Sequence, residues 1–144
     1  MHNSKMFVEI LIDRFEISCE EITRIIGIKP DDCRGIGTKY ISNLDKKEHI
    51  SKTSYWRLDS GIGPEKELED IFKGLLNKLR PYKKRIIPIC KKYSAYFNII
   101  IHIYGNFYPA IDWDKDILKE IAEYNASMGI DLSVFSEEEL ENFV

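Results

Sequence analysis

No stretch of this chain stays apolar for long enough to cross a bilayer, no two cysteines stand at metal-ligand spacing, and neither sign of charge dominates. The apolar run that follows the short polar start, Met1 to Lys5, carries Glu9 and Asp13. That excludes a signal peptide or membrane span and predicts a cytoplasmic protein. Cys19, Cys33 and Cys90 are an odd number at wide spacing, with no C-x-x-C pair and no histidine placed to complete a zinc set. They fit free thiols in a reducing compartment, and no metal or cofactor is expected. With 21 Lys and Arg against 24 Asp and Glu, the formal charge is −3, which argues against a chain built to lie on phosphate backbones. No internal repeat, low-complexity tract or linker divides the sequence, so residues 1–144 are expected to form one domain. At 44% hydrophobic residues, a domain of this length buries roughly 70% of its unfolded surface and needs no disulfide to hold a core.

Hydrophobic periodicity places the elements. Met6 to Phe15 alternates, with Val8, Ile10 and Ile12 on one face and Phe7, Glu9, Leu11 and Asp13 on the other, so it predicts a strand. Ser18 and Glu21 form an S-x-x-E capping signature ahead of Ile22, Ile25 and Ile26, and Gly27 ends this first helix. From Ile28 to Lys52 the pattern dissolves into a long loop with a short strand near Thr38 to Ser42. Thr53 to Ser60 alternates again, setting Trp56 and Leu58 against Tyr55, Arg57 and Asp59. Pro64 suits a first helical turn, and Leu68, Ile71, Phe72, Leu75, Leu76 and Leu79 mark the main helix up to Pro81. Pro88 interrupts Lys83 to Lys92, which reads as a broken helix or loop. Ala95 to Tyr104 is the strongest strand. A last long helix around Ile117 to Ala122 and a short strand, Ile130 to Phe135, follow, and Ser136 to Val144 is an acidic end, a helical turn or frayed.

The order β-α-β-β-α-β followed by α-β predicts an α+β fold. Its plan is a ferredoxin-like antiparallel sheet with helices on one face, extended by a C-terminal α-β unit. Such a sheet leaves Glu9, Asp13, Tyr55, Arg57, Asp59, Tyr96, Asn98, His102 and Tyr104 on the side away from the helices, with Phe7, Leu11 and Ile100. Aromatics mixed with charges suit an interface better than a solvated face or a second core. The competing expectation is that the C-terminal unit or the loops fold over this side.

Several segments carry a resemblance. They are EEITRIIGIKP from Glu20 to Pro30, Gly35 or Gly37 in the loop, YWRLDS from Tyr55 to Ser60, the leucine-rich helix from Glu67 to Leu79, Pro109, and GIDLSVF from Gly129 to Phe135. Together they resemble a bacterial family known only as a domain of unknown function, number forty-two seventy-nine. The resemblance implies a small α+β domain, often encoded near polymorphic-toxin or contact-inhibition loci, where such proteins can serve as immunity partners. It also implies a last strand with a second Asp and a terminal Tyr, where this chain has Ser133 and Phe135.

The remaining chemistry-bearing groups favour structural roles. Asp112, Asp114, Asp116 and Glu123 match EF-hand positions, but the sharp-turn position is Ile117, inside a helical pattern, so helix capping is the better account. Cys19 in a first helical turn invites a thiolate, and Glu20 and Glu21 oppose it. Of His2, His49 and His102, only His102 stands where neighbouring strands can bring Glu9 or Asp59 close as partners of a general base. Gly35-Ile36-Gly37 lacks the spacing of a phosphate loop, and Lys83, Lys84, Arg85, Lys91 and Lys92 read as a solvated basic face. With no assembled catalytic set, the sequence favours a non-catalytic module that binds a protein partner such as a cognate toxin encoded beside it. The alternatives are a small-ligand or enzymatic domain and an RNA-binding sheet. Nucleic acid is disfavoured because Glu9, Asp13 and Asp59 repel phosphates.

Overall fold

The computed structural model describes residues 4–106, 108–136 and 138. His2 and most of the acidic end from 137 onward lie outside them. The chain forms β1 (Lys5–Asp13), α1 (Cys19–Ile26), β2 (Asp32–Arg34), β3 (Lys39–Ile41), β4 (Glu48–Ile50), β5 (Tyr55–Asp59) and α2 (Leu68–Leu79). A single 3-10 turn (Arg80–Tyr82) then leads into α3 (Lys83–Lys92), β6 (Ser94–Tyr104), α4 (Lys115–Ala122) and β7 (Ser127–Phe135). Among the described residues, no helix is long and apolar enough to cross a membrane.

The fold is mixed α+β, with a five-stranded sheet in the order β2-β5-β1-β6-β7. β1 sits at its centre because both its neighbours pair with it antiparallel, Ile10 lying opposite Leu58 on one side and Phe97 on the other. This sheet differs from the expected ferredoxin-like plan in the segment that forms the edge beside β5. The strand expected near Thr38 to Ser42 pairs locally, Tyr40 opposite His49, in a separate β3–β4 ribbon, and the edge next to β5 is taken by Asp32–Arg34. Nor is the sheet wholly antiparallel: β7 joins β6 in parallel, as a strand reached through a helical crossover does.

The helices form where the alternation stops and 3.6-residue spacing begins. Ser18 accepts from the Glu21 backbone N–H at 3.1 Å, and Gly27 closes α1 at φ 93°, a left-handed conformation that suits glycine. α2 starts at Leu68, later than Pro64 suggests, because the Pro64 carbonyl is bound by the backbone N–H of Met6 at 2.8 Å. Lys83 to Lys92 is a helix despite Pro88. Its Ile86, Ile89 and Cys90 are buried, and that apolar anchoring offsets the missing hydrogen bond. The last helix is short, ending at Ala122.

One core lies between the helices and the inner sheet face. Trp56, Ile71, Phe72, Leu75 and Leu76 are fully enclosed, with Leu68 nearly so, as the matched periods of β5 and α2 require. Ile117, Ile121 and Tyr124 add the C-terminal unit to the same core. The expectation of free thiols is corrected for two of the three cysteines: Cys19 is disulfide-bonded to Cys33, with Cα atoms 6.0 Å apart. The bridge pins the first turn of α1 to the edge strand β2, and it is at odds with a reducing compartment. Cys90 is free and buried, and burial pushes its thiol up to about 12.

Candidate functional site

Alternation on β1, β5 and β6 sends the core residues inward and leaves the other set facing away from α1 to α4. Among the described residues, the C-terminal unit does not cover that second set, because α4 packs into the core and β7 lengthens the sheet. Phe7 and Tyr96 are exposed, and Leu11, Asp13, Tyr55, Arg57, Asp59, Asn98, Ile100, His102 and Tyr104 are half-buried.

Strand register sorts the face into rows. Glu9 lies between Asp59 on β5 and Asn98 on β6, and Arg57 lies between Asp32 and Leu11. Glu9 is only 9% exposed, and its Oε2 accepts from Arg57 Nη1 at 3.2 Å, with Asp59 3.9 Å from the same nitrogen. Burial alone disfavours the Arg57 charge, but the Glu9, Asp59 and Asp31 carboxylates outweigh it and hold the guanidinium above its ordinary value. Asp13 Oδ1 is enclosed without a hydrogen-bond partner among the described residues. The centre of the face is therefore acidic, with one arginine held inside it.

Aromatic groups stand at two corners. His102 meets the rings of Phe7 at 5.6 Å and Phe135 at 5.5 Å, and Phe135 stacks on Tyr104 at 5.4 Å. His102 lies opposite Lys5, four residues along β6 from the Asn98 row that holds Glu9, a separation of roughly 13 Å, so Glu9 and Asp59 do not join it in an acid–base set. At the other corner, the Arg34 guanidinium lies 3.9 Å from the Tyr40 ring and 5.5 Å from that of Tyr55. Tyr40 in turn stacks on His49. The Tyr55 hydroxyl donates to Asp32 at 2.7 Å, and burial together with that carboxylate raises its pKa. Sequence reasoning missed Arg34, Tyr40, Asp131 and Phe135. The first two sit where no long period exists, and the face of β7 becomes readable only once its register with β6 is known.

Other constellations resolve as structure. Asp114 caps α4, accepting from the Asp116 backbone N–H at 2.7 Å, and Glu123 pairs with Lys83. Among the described residues, no group of three or more His, Cys, Asp or Glu is placed to hold a metal ion. An open groove of about 410 Å³ runs between α2 and α4; its two cations are held by carboxylates, Lys73 by Glu69 and Arg80 by Glu120, and Asp114 in its lining caps α4.

Residues 4–135 match the family described as "Domain of unknown function (DUF4279)". The chain belongs to that family. No curated protein and no solved structure matches it. In this family member Asp131, Ser133 and Phe135 pair with Ile100, His102 and Tyr104, so all three lie on the open face. The two places where the last strand departs from the pattern implied by the resemblance, Ser133 and Phe135, thus fall within the candidate site.

Proposed function

We propose that this chain is a non-catalytic protein-binding module that docks a basic protein partner on its open sheet face. The finer reading is an immunity protein whose partner is a cognate toxin, neutralised by occlusion. The observation that carries the docking is the face left open among the described residues: the carboxylates Glu9 and Asp59 at its centre and Asp13 at the end of β1, flanked by exposed or half-buried aromatics. Tyr96, Tyr104 and Phe7 are anchors of the kind that dominate interfaces, and the carboxylates steer a cationic partner towards them. The immunity role rests on analogy with the genomic setting that the resemblance implies. An RNA partner fits less well, because the carboxylates stand among the aromatics on which bases would stack.

The test is co-purification with the product of the neighbouring gene, followed by titration. Tyr96→Ala removes an exposed ring and is expected to weaken binding about tenfold or more without lowering the unfolding midpoint. The on-rate should fall with added salt. The reading fails if the neighbour does not bind and the protein turns over a small molecule. Retention of RNA in place of a basic protein, or a Tyr96→Ala variant of unchanged affinity, rejects the partner class or the face.

A further inference from the structure

The two edges of the sheet are built differently. β2 is three residues long and carries Asp32 and Arg34, a short charged edge of the kind that discourages pairing. β7 is nine residues long and ends the sheet on the other side, with one charge, Asp131, and neither proline nor lysine. Its inner-face residues Met128, Ile130, Leu132 and Val134 continue the rows of Phe97, Ile99, Ile101 and Ile103. The β6 residues of those rows are at most 3% exposed, whereas those of β7 are 37–58% exposed. From Ser127 to Val134 the end strand thus presents an open ladder side, among the described residues, next to an apolar strip on the order of 400 Å², a size that marks interaction sites.

We infer that β7 pairs antiparallel with β7 of a second copy, joining two five-stranded sheets into one of ten. The spacing of the strip makes it self-complementary. In an antiparallel pair, residues directly opposite share a face, so a two-fold axis at Leu132 sets Leu132 against its own copy and Ile130 against the second copy's Val134. Asp131 then faces a serine, Ser133 of the second copy. An axis at Asp131 would place two carboxylates opposite each other and is disfavoured. Burying the strip on both copies supplies about 800 Å² of the roughly 1,200 Å² at which stable interfaces begin, and the newly paired backbones add to it. Such an axis stands perpendicular to the sheet, so the open faces of both copies lie on the same side and form one doubled surface.

Sedimentation equilibrium of the full chain tests this. A dimer with a dissociation constant of about 10 μM or tighter is expected. Leu132→Lys and Ile130→Lys should each weaken it at least about 100-fold while leaving the circular dichroism spectrum unchanged. Ile41→Lys, on the exposed β3–β4 ribbon, should leave it intact. In Leu132→Cys, a cross-link between the two copies fixes the register. A wild-type monomer up to about 100 μM overturns the inference. So does a dimer that both lysine variants leave unchanged.

Discussion

Arg57 reaches out of its own row to donate to Glu9: the register sets Arg57 opposite Leu11 and Glu9 opposite Asp59, yet the hydrogen bond between them spans 3.2 Å. This diagonal contact keeps an almost enclosed carboxylate satisfied on a face that none of α1 to α4 covers. It also marks Arg57 and Glu9 as positions that hold the face together.

Arg57→Met is accordingly expected to destabilise the fold by about 1–3 kcal/mol, because it strands the Glu9 carboxylate. Glu9→Gln in the same background should recover part of that loss. Urea midpoints of the two single variants and the double variant measure the coupling; strictly additive costs would show that the contact contributes nothing.

The Cys19–Cys33 bridge closes a loop with a sequence separation of 14. Cys19→Ser should lower stability by about 2–4 kcal/mol through the freer unfolded chain. Thiol counting gives a direct check: the folded protein should show no reactive thiol, the denatured protein one, from Cys90, and the reduced denatured protein three. A count of three without reductant contradicts the bridge.

Leu75 is fully enclosed between α2 and the sheet. Truncation to Ala should cost about 2–5 kcal/mol in chemical denaturation. A loss below about half a kilocalorie would contradict the packing of α2 on β1 and β5.

Tyr124 is enclosed and its hydroxyl lacks a hydrogen-bond partner among the described residues. Burial first, and the Glu120 carboxylate second, push it from 10.0 up to about 12. Between those values the unfolded chain has released the proton that the folded chain still holds. Its contribution is therefore present in full below pH 10 and is lost as pH rises towards 12. Tyr124→Phe should leave stability near neutrality almost unchanged and flatten the alkaline decline of the urea midpoint. Parallel declines in the two proteins would rule this out.

Much of the fold was legible before any tertiary contact was known, since period and capping are local properties. Val8, Ile10 and Ile12 declared the inner face of β1, the α2 leucines their stripe, and Ser18 and Gly27 the ends of α1. The mixed-polarity face followed from the same alternation, because a residue that points away from the core is known once its neighbour points in. Pairing is not local. Nothing in Thr38 to Ser42 shows that it joins Glu48–Ile50 and leaves the sheet edge to Asp32–Arg34, and nothing in Cys19 and Cys33 shows that a loop returns one to the other. Pro88 marks a break in the sequence because backbone rules are visible there, whereas the burial of Ile86, Ile89 and Cys90 that overrides it is not. Whether the far face stays open turned on where α4 and β7 settle. That was decided by burying Ile117, Ile121 and Tyr124 in the existing core while β7 satisfied its backbone along the edge of β6, a choice among distant partners that no single segment encodes.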